Sequence, residues 1–266
     1  MSVFTAIALG ILQGLTEFLP VSSSGHLALV EHFLGVDSPG VTFEVLVHFG
    51  TALAVIVFFR RRIASIVVAV LGPVSRRPYD RNDARLGLHL VVGTVPAGIV
   101  GVLLGSKVEA AFGSPGLVSG FLLVTGALLW LTRWLAPGAR TRGGIRDAVL
   151  IGVAQAVAIL PGMSRSGWTV SAGLALGLKR EAAAEFAFLL SVPVILGATA
   201  MSLGDALRSG SSLGAAAIAG TAAAFLAAIP AIRILLRVVT AGKFYRFSYY
   251  CWIAGAVGLV LTAVRG

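Results

Sequence analysis

Several stretches of about 20 residues contain no charged side chain, and they limit what this chain can fold into more than any other feature. About 20 apolar residues in a helix suffice to cross the hydrocarbon core of a bilayer, which is about 30 Å thick. Charged residues make up only 12% of the 266 residues, about half the share in a soluble domain. Backbone groups in lipid must be satisfied inside helices or closed barrels, and no alternating strand pattern occurs. The sequence therefore predicts an all-α polytopic membrane protein.

The apolar stretches predict six transmembrane helices, at residues 41–60, 86–106, 115–135, 185–203, 213–235 and 247–264. Seventeen of the 21 basic residues then fall on one side: Arg60, Arg61, Arg62, Arg76, Arg77, Arg81, Arg85, Arg133, Arg140, Arg142, Arg146, Lys179, Arg180, Arg233, Arg237, Lys243 and Arg246. The positive-inside rule places that side in the cytoplasm. The basic residues that give the net charge of +10 are thus expected to orient the protein in the membrane and to contact anionic lipid. Nucleic acid is not expected as a partner.

The charge distribution makes a direct prediction about accessibility. A cysteine placed at Ser75 should be labelled only from the cytoplasm, and one placed at Ser209 only from outside. The first residues lack the basic region of a cleaved signal peptide. The single cysteine, Cys251, excludes an intramolecular disulfide.

Two polar stretches interrupt the apolar pattern: "GLTEFLPVSSSGHLALV" at 14–30 and "AVAILPGMSRSGWTVSA" at 156–172. The alternation of charge holds only if each stretch enters the membrane and returns on the same side. We therefore predict a re-entrant hairpin over 3–34, broken at Pro20 and entering from outside. A second, over 145–178, has helices at about 145–160 and 168–178 and enters from the cytoplasm. Proline ends the first helix of each because it lacks an N–H and clashes with the preceding turn.

An internal repeat supports this arrangement. At an offset of 142 residues, four polar or glycine positions match: Gln13 with Gln155, Ser22 with Ser164, Ser24 with Ser166, and Gly25 with Gly167. Each half contains one hairpin and three spans, so the odd number of crossings inverts the second copy relative to the first. We expect a single membrane domain over 1–266, with inverted repeats at 1–135 and 145–266.

Glu17 lies in an apolar helix four residues after Gln13, so the two side chains share one face. A glutamate facing lipid is costly, so Glu17 should face the interior, a cavity or a partner. One interpretation is a neutral, hydrogen-bonded structural residue. The other is a general base or a metal ligand, because Mg²⁺ and Ca²⁺ bind oxygen and glutamine can supply a carbonyl beside the carboxylate.

Serines and a glycine precede or begin the second helix of each hairpin: Ser22, Ser23, Ser24 and Gly25 in the first, and Ser164, Ser166 and Gly167 in the second. Such serines can simply cap a helix, but a helix N-terminus also binds phosphate. Arg165 adds a planar fork of donors that suits phosphate oxygens. Since no acidic residue lies between Asp147 and Glu181, an anionic ligand is favoured for Arg165, with a structural ion pair to Glu17 as the alternative.

Histidines complete the set of candidate groups. His26 could be a nucleophile, an acid or base, or a buried histidine, and its neighbouring serines and carboxylate favour chemistry. His32, His48 and His89 lie outside the two polar stretches, and we predict structural or interfacial roles for them. The residues alone thus predict a binding site for an anion, such as phosphate, where the hairpins meet. They leave an enzyme and an anion transporter both open.

The segments "QGLTEFLPVSSSGH" and "PGMSRSGWTVSAGLALGLKREAAAEFAFLLSVP" resemble the two signature stretches of the undecaprenyl-diphosphatase family, the bacitracin-resistance phosphatases. The similarity extends over the whole chain, including "TFEVLVHFGTALAVIVFFRRRI". It implies hydrolysis of undecaprenyl diphosphate to the monophosphate with a divalent cation, Mg²⁺ or Ca²⁺. That reaction recycles the lipid carrier of peptidoglycan synthesis at the bacterial cell membrane and confers bacitracin resistance. The resemblance also implies a possible homodimer.

The resemblance assigns roles to particular positions. The acidic motif falls on Gln13 and Glu17 as metal ligands, and some members carry Glu where this chain has Gln13, so the neutral side chain should weaken cation binding. The serine and histidine of the first motif fall on Ser23 and His26. The second motif falls on Ser164, Arg165 and Thr169.

We therefore predict metal-assisted hydrolysis of a polyprenyl diphosphate in a pocket that opens outward. Ser23 is the first choice of nucleophile, activated by His26, and attack by water assisted by His26 is the second. Arg165 and the N–H groups of the hairpins should neutralise charge on the phosphoryl oxygens. A transporter or flippase of lipid-linked or small anions is the main alternative, because inverted repeats with broken helices are typical of alternating access.

Overall fold

The structure is a computed structural model that describes residues 1–35, 40–75, 78–208 and 214–265, without the side chains at 40–42, 73–75 and 202–208. This part of the chain forms eleven α-helices: α1 (Val3–Phe18), α2 (Ser23–Leu34), α3 (Gly40–Phe58), α4 (Arg60–Ser75), α5 (Arg81–Phe112), α6 (Pro115–Leu131), α7 (Ile145–Val157), α8 (Arg165–Ala175), α9 (Arg180–Arg208), α10 (Ala215–Thr240) and α11 (Phe247–Arg265). Short 3-10 helices occupy Thr132–Trp134 and Phe244–Arg246. The described residues form no strand, so the all-α prediction is confirmed.

Five helices are long and apolar enough to cross a bilayer: Arg81–Phe112, Pro115–Trp134, Arg180–Met201, Ala215–Thr240 and Phe244–Arg265. Each corresponds to a predicted span. The remaining predicted span corresponds to α3, whose apolar part, Phe43–Phe58, is shorter than those five. A polytopic membrane protein is thus confirmed, whereas the number of six crossings stays a prediction.

Both predicted hairpins are present as helix pairs broken near the expected prolines. The α1–α2 turn runs through Pro20, and Val21 N–H donates to the carbonyl of Leu19 at 2.7 Å. The α7–α8 turn contains Gly162 at φ 94°, a backbone conformation that glycine adopts without a steric penalty. Both helices of the second pair end about three residues earlier than the sequence pattern suggested, and α8 also starts three residues earlier. Re-entry of the hairpins into the membrane stays a prediction.

The two halves of the chain interlock. Helix α1 packs along α10, and α7 packs along α5, so the first helix of each hairpin contacts a helix of the other half. Glycines permit both close approaches. A Cβ atom on Gly10 would meet the carbonyl of Gly220, and one on Gly152 would meet the carbonyl of Gly93. Gly10 and Gly152 are themselves 142 residues apart, so the predicted offset recurs in the packing.

Helix α4 was not predicted, because the arginine-rich residues after α3 resembled a loop. The segment after Arg62 nevertheless alternates buried and exposed residues at helical spacing. Ile66 and Ala69 are buried, whereas Val67 and Val70 are about half exposed. Packing against α5 explains the buried face.

The two labelling predictions stay predictions, because the structure does not describe the side chain of Ser75 or any part of Ser209.

Candidate active site

Three helix ends converge on one carboxylate. Glu17 lies in the last turn of α1 and its side chain is 3% exposed. Gln13, one turn earlier, donates its amide N–H to Glu17 Oε2 at 2.8 Å. Ser23, at the start of α2, donates its hydroxyl to the same oxygen at 2.5 Å. Arg165, the first residue of α8, forms an ion pair with Glu17 Oε1. We call these four residues, Gln13, Glu17, Ser23 and Arg165, the Glu17 cluster.

The sequence left open whether Arg165 forms an ion pair with Glu17 or is free for an anionic ligand. Arg165 does pair with Glu17, so it has an acidic partner from the other half of the chain. Both side chains are largely removed from water, at 19% and 3% exposure. A buried pair of this kind stabilises less than its attraction suggests, because both charges lose hydration. The pairing does not exclude an anionic ligand, since a phosphate group with more charge can compete for the same guanidinium.

The turn of the first hairpin is held against the turn of the second. Ser22 caps α2, accepting a hydrogen bond from Gly25 N–H at 3.3 Å. Its hydroxyl also accepts from Gly162 N–H at 3.1 Å. A Cβ atom on Gly25 would lie 3.0 Å from the backbone of Gly162, so the close approach depends on glycine there. Ser22 itself has φ 66°, a strained conformation for a serine that the two hairpins together stabilise.

The second hairpin has a matching cap. Ser164 accepts from Gly167 N–H at 3.1 Å, and its hydroxyl lies 3.1 Å from that of Ser166. Ser166 donates to the carbonyl of Leu19, and Thr169 donates to the carbonyl of Arg165. The hydroxyls predicted to bind phosphate at Ser164, Ser166 and Thr169 therefore have protein partners. Their contacts position the Arg165 backbone.

Backbone donors remain available at the start of α2, in the first hairpin. The first N–H groups of a helix have no partner within the helix. The caps occupy the N–H groups of Gly25 and Gly167, and within the described residues no backbone or side-chain acceptor bonds those of Ser23 and Ser24. Helix α2 thus presents donors beside the Glu17 cluster, the arrangement that binds phosphate at helix N-termini.

A cavity of about 330 Å³ adjoins the cluster. Glu17, Ser23, Ser24 and Arg165 line it, together with apolar side chains of α5 and α9 that include Ala97, Val108, Phe112, Val194 and Ile195. A lining that contains both polar groups and apolar side chains suits a ligand that has a charged head and a hydrocarbon chain.

Four polar residues in this cavity were not predicted to act there: Glu44, His48, Gln155 and Thr199. His48 Nε2 lies 3.5 Å from Glu17 Oε2, and its Nδ1 lies 2.7 Å from the carbonyl of Glu44. The structural or interfacial role predicted for His48 stays a prediction, but its position beside Glu17 was not foreseen. Glu44 and His48 are four apart in an apolar helix, the same signal that selected Gln13 and Glu17.

Gln155 is the position that the repeat pairs with Gln13. Its side chain is 1% exposed, and neither amide atom has a hydrogen-bond partner within the described residues. A buried amide without partners is costly. Because Gln155 lines the cavity, a polar ligand or water there would satisfy it.

His26 lies elsewhere. Its Nδ1 is 2.8 Å from the carbonyl of Ser22, and its Nε2 is 2.7 Å from the hydroxyl of Tyr250 on α11. The ring stacks on Tyr250 with centroids 5.6 Å apart. His26 therefore makes no hydrogen bond with Ser23, the contact that activation of the serine would require. Its catalytic role stays a prediction, and the neighbour of Ser23 in this structure is Glu17.

Comparison of the sequence with known proteins identifies the family of this chain. The family model described as bacitracin resistance protein BacA matches residues 6–257. The undecaprenyl-diphosphatase of Desulfosudis oleivorans is 44% identical over 269 residues, covering 97% of this chain and 98% of the relative. That of Gemmatimonas aurantiaca is 43% identical over 271 residues, covering both chains completely. That of Desulforapulum autotrophicum is 40% identical over 271 residues, covering 98% of each. With this similarity along its whole length, the chain belongs to the bacitracin resistance protein BacA family.

Proposed function

We propose that this chain hydrolyses undecaprenyl diphosphate to undecaprenyl phosphate and inorganic phosphate, the activity for which its relatives are named, and that the reaction takes place at the Glu17 cluster. The observation that carries the location is the meeting of Glu17, Ser23 and Arg165 from three helices beside a cavity with apolar walls. The activity supports recycling of the lipid carrier in cell-wall synthesis and resistance to bacitracin. Family membership favours this function over the transport alternative.

Ser23 is the proposed nucleophile and Glu17 the group that accepts its proton. Ser23 already donates a hydrogen bond to Glu17, so the two groups are within reach for proton transfer to a general base. Attack of Ser23 Oγ on the terminal phosphorus would break the bond to the bridging oxygen, release undecaprenyl phosphate and leave a phosphoserine. Glu17 would pass the proton it took from Ser23 to the departing undecaprenyl phosphate. Water would then attack the phosphorus of the phosphoserine, with Glu17 taking the water proton. The bond between phosphorus and Ser23 Oγ would break, and Glu17 would return the proton to Ser23 Oγ as inorganic phosphate leaves. Direct attack by water on the diphosphate, with Glu17 as base, is the second route.

Arg165 is proposed to exchange partners when substrate binds. In the structure it pairs with Glu17. A diphosphate carries more negative charge than one carboxylate and offers paired oxygens to the planar guanidinium. Movement of Arg165 onto the phosphate would stabilise charge that develops during the reaction. The same movement would free Glu17 Oε1, making the carboxylate a stronger base at the moment it is needed.

A divalent cation is a further part of the proposal, and the residues present fit one. Glu17 and Glu44 offer carboxylate oxygens to the same cavity, and Gln13 Oε1 is buried with no hydrogen-bond partner within the described residues. Those residues contain no cluster of three or more His, Cys, Asp or Glu side chains that could hold a metal alone. Such a donor set suits Mg²⁺ or Ca²⁺ that takes further oxygens from the substrate. When bound, the cation would neutralise phosphate charge.

We also propose that the cavity opens toward the outer side of the bacterial cell membrane. It contacts α5 at residues 97–112 and α9 at residues 194–199, whereas the basic ends of those helices lie at Arg81 and Arg180. The cavity is thus on the half of the molecule away from the arginine-rich side. In sealed vesicles of known orientation, diphosphate presented to the outer face should be hydrolysed faster. Equal or faster hydrolysis from the cytoplasmic face, without substrate flipping, would contradict this orientation.

Phosphate release from a polyprenyl diphosphate by the detergent-solubilised protein tests the proposed function. Ser23→Ala should reduce turnover by about 10²-fold or more, with the metal saturating, because it removes the nucleophile. Ser106→Ala, at an exposed serine of α5, is the matched control and should retain full turnover. Near wild-type turnover of the Ser23 variant would leave only direct attack by water.

The homodimer implied by the family resemblance belongs to the proposal as well. Light scattering of the detergent-solubilised protein, corrected for bound detergent, distinguishes a dimer from a monomer. A single monomeric species that retains full turnover would show that hydrolysis does not need the dimer.

A further inference from the structure

A second, larger cavity lies at the arginine-rich side of the molecule. It encloses about 570 Å³ and shares no residue with the cavity at the Glu17 cluster. Its walls come from the N-terminal parts of α5, α7 and α9, from the segments that precede α7 and α9, and from Arg62 of α4. On α5 the two cavities are lined by residues 82–89 and 97–112, so they are separated by about eight residues, or roughly 12 Å of helix.

The backbone around this cavity is fixed by contacts with the α8–α9 connection. Arg140 N–H donates to the carbonyl of Gly177 at 3.2 Å, and Lys179 N–H donates to the carbonyl of Arg140 at 2.7 Å. The guanidinium of Arg140 also bonds Asp147, at 2.8 Å. Arg142 and Lys179, which both line the cavity, therefore lie on two chain segments that backbone hydrogen bonds hold together.

The lining carries cations that have no ion-pair partner of their own, although the charge of Asp83 acts on Arg142 as well as on Arg62. Arg62 is shared between Asp83 at 2.5 Å and Glu185 at 2.7 Å. The other lining cations, Arg85, Arg142 and Lys179, form no ion pair within the described residues. Only one lining carboxylate, Glu181, is likewise without an ion pair there. The N-termini of α7 and α9 add partial positive charge at the same place.

Part of the cavity lining is apolar, and one of its apolar side chains is exposed on the surface of the molecule. Leu86, Leu178, Phe186 and Leu189 line it from within. Ile145 lines its edge and is 55% exposed. A ligand that satisfies both surfaces needs an anionic head at the unpaired cations and a hydrocarbon chain at the apolar side.

We propose that this cavity binds the phosphate headgroup of an anionic lipid from the leaflet on the arginine-rich side. Arg142 and Lys179 contact the phosphate from the two sides of the junction, and the acyl chain lies over Ile145. The site differs from the Glu17 cluster in position and in composition, since it offers several cations and no nucleophile beside a carboxylate. It does not depend on the function proposed above.

A fluorophore placed in the cavity can report this binding. Thr141 is exposed and lines the cavity, whereas the natural Cys251 is 0% exposed, so Thr141→Cys can be labelled selectively with an environment-sensitive dye. Phosphatidate titrated into the labelled protein in phosphatidylcholine–detergent micelles should shift the dye emission to saturation. Inorganic phosphate at the same concentration should not, because it lacks the chain.

Charge-neutralising variants test the contacts. Arg142→Gln with Lys179→Gln should weaken phosphatidate binding by about tenfold to thirtyfold. Arg142→Gln alone should weaken it about threefold to fivefold, and serves if the double variant does not fold. The control is Arg146→Gln, on the same segment but outside the cavity lining, and it should leave the affinity unchanged.

Three results would overturn the proposal. Unchanged affinity in the Arg142 and Lys179 variants would remove these residues as ligands. An equal loss of phosphatidate affinity in the Arg146→Gln control would show that the positive charge of the surface in general, and not the cavity, binds the lipid. Saturation by inorganic phosphate as tight as by phosphatidate would mean that the site takes a free anion rather than a lipid.

Discussion

Replacing Glu17 by glutamine is the most informative perturbation of the candidate site. The two side chains have nearly the same shape, so the variant keeps the volume of the site and removes one charge. Arg165 then remains buried, at 19% exposure, without its carboxylate. Breaking a buried ion pair from one side costs about 3–5 kcal/mol. Because this pair borders a cavity that can admit water, we expect about 3 kcal/mol, the lower end of that range.

Activity should fall as well, for a separate reason. The amide cannot accept the proton that Ser23 donates at 2.5 Å. Loss of a general base costs typically about 10²- to 10⁴-fold in rate, and we expect a turnover reduction in that range with substrate saturating.

Two companion variants separate the effects. Glu44→Gln removes a carboxylate from the same cavity that makes no ion pair with Arg165, so its stability should stay close to wild type. Glu17→Gln combined with Arg165→Gln removes both charges and should be more stable than Glu17→Gln alone, while remaining inactive. Unfolding in mixed micelles measures stability, and phosphate release measures turnover. If Glu17→Gln is no less stable than Glu44→Gln, Glu17 does not compensate the charge of Arg165 and the reasoning fails.

Further predictions concern the neighbours of this cluster. His48→Gln should reduce kcat/KM less than about tenfold, since 3.5 Å to Glu17 is too long for a strong hydrogen bond; a larger loss in the phosphate-release assay would make His48 part of the chemistry. Gly152→Ala should destabilise the protein by about 1–3 kcal/mol through overpacking against α5, whereas Gly98→Ala, where a Cβ meets no atom within 4 Å, should be neutral or slightly stabilising in the same unfolding measurement. Tyr250→Phe removes the hydroxyl beside His26 and should cost about 0.5–1.5 kcal/mol. Turnover of this variant near wild type would argue that the contact is structural.

The pattern of charge and apolar length was enough to predict the helical class and most helix positions. Hydrocarbon offers the backbone no hydrogen-bond partners, so apolar stretches of sufficient length have few alternatives to helix. Proline likewise interrupts a helix because it lacks an N–H and clashes with the preceding turn, so the helix breaks near Pro20 and Pro161 could be located. Helix α4 escaped prediction because its first residues are arginines, and only contact with α5 selects which of its apolar residues are buried.

The chemical groups of the site were predictable, but their pairing was not. Gln13 and Glu17 share a helix face by spacing alone, and their hydrogen bond follows from it. For Arg165, the sequence allowed either an anionic ligand or Glu17. The choice required α8 to meet the end of α1, a contact between residues 148 positions apart in the chain.

His26 and His48 illustrate the same limit. His26 is three residues from Ser23, yet it faces Tyr250, because the direction of a helical side chain depends on which neighbour its face packs against. His48 is 31 residues from Glu17 in the chain and lies beside it. Sequence by itself determined the helical class, the two broken hairpins and the kinds of polar group available, since these depend on local periodicity and backbone chemistry. Only the tertiary structure decided which of those groups meet, because their contacts arise from packing between helices that are distant in the chain.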